Sequence, residues 1–176
     1  MQPDLSSGAA ALIQDLEQPR VLTVGGLIAE QTFGRVDAAG TLPAGDVLLT
    51  VAELELLPQV QGKKGLLLTP ADAPDTLDLP LDQLDLIAIE FKGFGDGRGY
   101  SYATLLRRSG YRGELRAVGD VFKDVLYYLK RCGFDSFVLK DEQDLQDARA
   151  GLNTFTAGYQ SATATPQSHF QGGRSL

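Results

Sequence analysis

Residues 91–101 read FKGFGDGRGYS and follow the apolar run LDLIAIE. Glycines at 93, 95, 97 and 99 alternate with larger side chains, which would let the backbone take positive φ or approach another molecule closely. Ser101 stands where a helix is expected to begin, so its hydroxyl would cap free amides that also attract anions. Arg98 beside that terminus would add a planar fork of donors for a carboxylate, phosphate or sulfite. Lys92, Asp96, Gly99 and Tyr100 complete the segment. Asp120, in the later stretch GDVFKD, is expected beside it, and Arg116 joins if the pleat of its strand brings it to the same edge. Together these residues suit a small oxyanion or an acidic partner side chain. Alternatively, Asp96 and Arg98 pair with each other or with Arg116 and Asp120, and merely pin two loops together. Both readings stay open.

Those residues need a frame that brings loops together. From about residue 83 the chain alternates regularly. LDLIAIEF is a strand buried on both faces, SYATLLRRSGY a helix stopped by Gly110, and GELRAVGD a strand. VFKDVLYYLKRCGF is then a helix ended by Gly133, FDSFVLK a strand, and DEQDLQDARAGL a helix with Asp141 as N-cap. This order implies βα units with right-handed crossovers around a mostly parallel sheet, as a half-barrel, a TIM-barrel-like ring or an open layer. Ligands of such sheets bind outside the carboxyl ends of the strands. The three rim loops would gather Lys92, Asp96, Arg98, Tyr100, Ser101, Asp120, Lys123 and Lys140.

The first 80 residues are less regular. A modest helix is expected before residue 20, with Leu12, Ile13 and Leu16 on one face. RVLTVGGLIAEQTFGRV reads as short strands around a Gly25–Gly26 turn. Val47–Leu49 is a strand followed by a helical turn or two, and KKGLLLTP is a strand stopped by Pro70. The reading is one α/β domain over 1–152, with a flexible tail over 153–176 that is rich in Ser, Thr, Gly and Gln.

Composition removes several classes of function. The 176 residues carry a net charge of −7, which disfavours nucleic acid and anionic membrane surfaces as partners. One cysteine, Cys132, and one histidine, His169, cannot form a disulfide or a zinc or iron–sulfur cluster. Cys132 reads as a packed thiol. Gly95, Gly97 and Gly99 give GxGxG rather than the GxGxxG of dinucleotide sites, so no cofactor is expected. The apolar runs fall short of the roughly 20 residues needed to span a bilayer. A cytoplasmic location is the expectation.

The order DGRGYS, LLR, GYRGELRAVGDV and RCGF, between about Leu84 and Leu139, resembles a bacterial family known as domain of unknown function 934. The resemblance implies a cytoplasmic protein linked to the assimilatory sulfite/nitrite reductase hemoprotein, a partner for which the residues themselves give no sign. It also implies a label of oxidoreductase, without any redox motif to match. The chain departs from the family pattern at Lys92–Gly93, where a proline-containing FPxF is usual, and at Val125, where glutamine is common. Three functions follow as alternatives: an accessory protein that binds the reductase or an anion through the DGRGYS/GDV rim, a small enzyme acting on an anionic substrate at the strand ends, and a structural or oligomerisation module.

Overall fold

The computed structural model describes residues 20–30, 33–93, 95–140, 143–152 and 162–163. The expected N-terminal helix, the Asp141 cap, His169 and nearly all of the tail lie outside these residues. The strands are β1 (Arg20–Thr23), β2 (Ile28–Glu30), β3 (Val47–Thr50), β4 (Lys64–Leu68), β5 (Leu86–Phe91), β6 (Glu114–Gly119) and β7 (Ser136–Val138). The α-helices are α1 (Arg98–Arg108), α2 (Leu126–Cys132) and α3 (Leu145–Gly151). After β3 the chain forms a 3-10 helix over Val51–Gln59, where a turn or two of helix was expected.

The sheet has seven strands in the order β2-β1-β7-β6-β5-β4-β3. Strands β3 to β7 are parallel neighbours in sequence order, as repeated right-handed crossovers in one direction require. The β1–β2 hairpin sits against β7, with β1 antiparallel to both neighbours. The chain leaving β2 then returns to the far edge. Gly34 pairs in parallel with Val47, donating to the Asp46 carbonyl at 2.8 Å and accepting from the Leu48 amide at 2.9 Å. This bridge joins both ends of the strand order and closes the sheet into a small ring.

Ring closure explains why the strands are apolar on both faces. One set of side chains, Val21, Phe33, Leu48, Leu67, Leu86, Ala88, Val118 and Val138, forms a buried cluster drawn from nearly every strand. It fills the inside, as eight-stranded and smaller barrels are filled. The alternate set, including Leu66, Leu68, Ile87, Ile89, Leu115, Ala117 and Phe137, packs outward against Ala103 and Leu106 of α1 and Leu126 and Leu129 of α2.

Two boundaries differ from expectation. Helix α1 begins at Arg98, with Gly97 as its N-cap, three residues ahead of the predicted start. Helix α3 is capped by Asp144, whose side chain accepts from the Gln146 amide. Gly110 and Gly133 do terminate their helices with φ of 94° and 108°, conformations that cost glycine little.

Candidate functional site

The carboxyl ends of β5 to β7 are knitted by backbone contacts. Asp120 donates its amide to the Phe91 carbonyl at 2.8 Å, and Lys140 donates to Val121 at 3.0 Å. Gly119 takes φ of 86° there, and a Cβ on it would lie 2.6 Å from the Phe91 carbonyl oxygen. The two loops singled out from the sequence therefore meet at one rim.

At that rim the acidic–basic pair is internal. Arg98 donates from Nε to Asp96 Oδ1 at 2.9 Å and from Nη2 to Oδ2 at 2.8 Å. Its Nη1 reaches the Pro70 carbonyl at 2.9 Å, a carbonyl that Tyr102 also binds through its hydroxyl. The guanidinium thus ties the loop after β4 to the loop after β5. It engages all three nitrogens within the chain while staying 59% exposed. The hydrogen bonds from Arg98 hold the Asp96 carboxyl below the usual carboxylate range, and those to Asp96 push the guanidinium up.

The other candidates sort as follows. Asp120 accepts from Lys140 at 2.6 Å, and Lys123 pairs with Asp147. Lys92 lies 3.7 Å from Glu90. Ser101 is exposed on the first turns of α1 rather than at its cap, which corrects its expected role. Arg116 is the second correction. The β pleat turns it into the ring, 1% exposed. There its Nη2 donates to Glu114 at 2.7 Å, its Nε is 3.2 Å from the Ser136 hydroxyl, and its guanidinium lies over Phe33. It does not join the rim. Nor do the four alternating glycines take positive φ.

One of those glycines matters by closeness. A Cβ on Gly99 would lie 2.5 Å from Phe91 Cζ, so only glycine lets α1 settle on that ring. Phe91 then packs edge-on against Tyr100 at 5.2 Å, and Tyr100 against Tyr128 at 5.0 Å. This column ends in solvent, with Tyr128 52% exposed. Desolvation pushes the Tyr100 hydroxyl up. The cavity beneath, among Phe91, Tyr100, Asp120, Val121 and Leu129, measures only about 10 Å³, room for one water at most.

Two inward-facing groups escaped the sequence reading. Glu90 alternates with Ala88 and is buried near the end of β5. Desolvation raises its pKa, opposed by Lys92. Arg35 alternates with Phe33 beside the closing bridge, and its Nη1 is buried with no hydrogen-bond partner. Burial lowers its pKa, opposed by Glu53. The signal for Glu90 was present, as the acid that follows the apolar stretch LIAI within LDLIAIEF. Arg35 had none, because its position depends on the bridge. Among the described residues no group of three His, Cys, Asp or Glu side chains could hold a metal ion. No described helix is long and apolar enough to cross a membrane.

Residues 65–170 match the model of the family described as bacterial protein of unknown function, DUF934. No curated protein matches the chain.

Proposed function

The chain belongs to that family of bacterial proteins, and from this premise we propose that it is an accessory protein that docks on an assimilatory sulfite or nitrite reductase through its DGRGYS/GDV rim. The observation that carries the reading is the aromatic column Phe91–Tyr100–Tyr128, which emerges half-exposed beside charges already fixed by Asp96, Arg98, Asp120 and Lys140. Exposed tyrosines on a rigid support are typical anchors of protein interfaces. Prepaired charges around them lose little conformational freedom on binding. A cavity of about 10 Å³ leaves no room there for a substrate. The reductase as partner comes from the resemblance of DGRGYS and GYRGELRAVGDV, and the net charge of −7 suits steering toward a basic surface.

The test is co-purification with the cognate hemoprotein, followed by titration calorimetry at low salt. Tyr128→Ala should weaken association by about tenfold or more, as loss of an interface anchor does, while leaving the fold intact. No association with the wild-type chain, or equal affinity for the variant, would sink the proposal.

Glu90 favours a second reading, in which the ring mouth handles a proton on a small anionic substrate. A buried carboxyl with raised pKa at a strand end is the usual setting for such chemistry. Complementation of a deletion strain separates the two. Docking predicts that Glu90→Gln restores sulfite-dependent growth and Tyr128→Ala does not. Catalysis predicts the reverse.

A further inference from the structure

We propose that a cleft at the opposite end of the ring binds a phosphorylated small molecule of nucleotide size. The cleft lies where α1 and α2 end and β7 begins. It measures about 450 Å³ and is lined by Arg107, Arg108, Arg112 and Lys130 over an apolar floor of Val24 and Phe134. Four cations around one cavity run against the character of a chain whose net charge is −7.

A purely structural account covers only part of this. Cations in the last turn of a helix offset the negative end of its dipole, which suits Arg107 and Arg108 in α1 and Lys130 in α2. Arg107 is wholly committed, donating to the carbonyls of Gly133, Tyr111 and Gly113 and pairing with Asp135. That also consumes the one acid of the lining. Arg112 lies beyond the helix, in the turn to β6. Among the described residues, no ion pair holds Arg108, Arg112 or Lys130, and all three line the cleft.

Size and charge select the ligand class. Arginine forks match phosphate oxygens in pairs. The volume falls within the range of small-ligand sites, roughly 300–1,000 Å³, wide enough for a phosphate group together with the small body that carries it. A long polyanion would meet the repulsion of the whole acidic surface. A small one, within a Debye length of about 10 Å at 0.1 M salt, is governed by the local cations.

The experiment is titration of the full chain with ADP and, separately, with pyrophosphate, read by calorimetry and thermal shift at low ionic strength. Both probes should bind and raise Tm. Arg108→Ala/Arg112→Ala should weaken them by about tenfold or more, as loss of charge-assisted bonds does. Lys130→Ala should act in the same direction. Arg98→Ala, at the other end, should leave the calorimetric affinity for both probes at the wild-type value. Tighter binding of ADP assigns a nucleotide, and equal binding assigns the phosphate end alone as the determinant. The proposal falls if neither probe binds up to about 10 mM, the weak limit of useful affinity, or if the double variant binds both probes as the wild type does.

Discussion

Substituting Gly119 by alanine tests how the rim is joined. The residue adopts φ of 86° at the end of β6, and its added Cβ would lie 2.6 Å from the carbonyl oxygen of Phe91. The left-handed conformation costs a residue with a Cβ about 1–2 kcal/mol. The collision is with backbone, which cannot swing aside, so about 1–3 kcal/mol more is expected from overpacking. The sum is about 2–5 kcal/mol, or about 4–20 °C in Tm at the 2–4 °C per kcal/mol typical of this chain length. Two other glycines separate the contributions. Gly110 has φ of 94° and nothing within 4 Å of its Cβ position, so Gly110→Ala should show the conformational cost alone, about 2–8 °C. Gly93 lies outside the left-handed region in open space, and Gly93→Ala should be neutral or gain up to about 1 kcal/mol. Thermal and urea unfolding of the three variants provide the measurement. If Gly119→Ala melts with the wild type, or Gly110→Ala is the more damaging, the close crossing of β5 and β6 is misassigned.

Two further perturbations probe the buried charges. Because the folded pKa of Glu90 is raised, the folded state holds that proton more tightly, so stability falls as pH rises from the ordinary value near 4.5 through the folded value. Glu90→Gln should therefore raise Tm at pH 7 by about 2–4 °C, the equivalent of 1 kcal/mol in a chain of this length, with the gain vanishing toward pH 4; a variant less stable than wild type at pH 7 would refute the account. Arg107→Ala strips donors from three backbone carbonyls and leaves Asp135 without its partner, so unfolding experiments should show a loss of about 2–4 kcal/mol, and Arg107→Lys should recover only part of it, since lysine lacks the fork.

The βα succession was readable because its signals are local. The apolar run over 84–91, the glycines at 110 and 133, and the intervening amphipathic stretches each name their own element. Ring closure was not readable, since the bridge from Gly34 to Val47 spans irregular sequence and depends on where β1 inserts. With closure hidden, the inside of the ring was hidden too. Strands buried on both faces show no alternation to reveal that Arg116 and Glu90 point inward. The rim itself was anticipated, and the Asp96–Arg98 and Asp120–Lys140 pairs assemble there. Its use of glycine was not: the helix starts at Arg98, and Gly99 is required by the Phe91 ring rather than by backbone twist. Tyr128, inside the stretch VFKDVLYYLKRCGF that reads as a helix, is the exposed end of the column.

The hairpin β1–β2 and the strand-like return at Gly34 act as a keystone between β7 and β3. The family match begins at residue 65, at the second position of β4, so a fragment cut there would keep four parallel strands and lose the pieces that hide their flanks. Both β4 and β7 would then present unpaired amides and carbonyls, an invitation to edge-to-edge self-association. In the intact chain the amino-terminal third, with the weaker sequence pattern, covers both of those edges, β3 beside β4 and β1 beside β7.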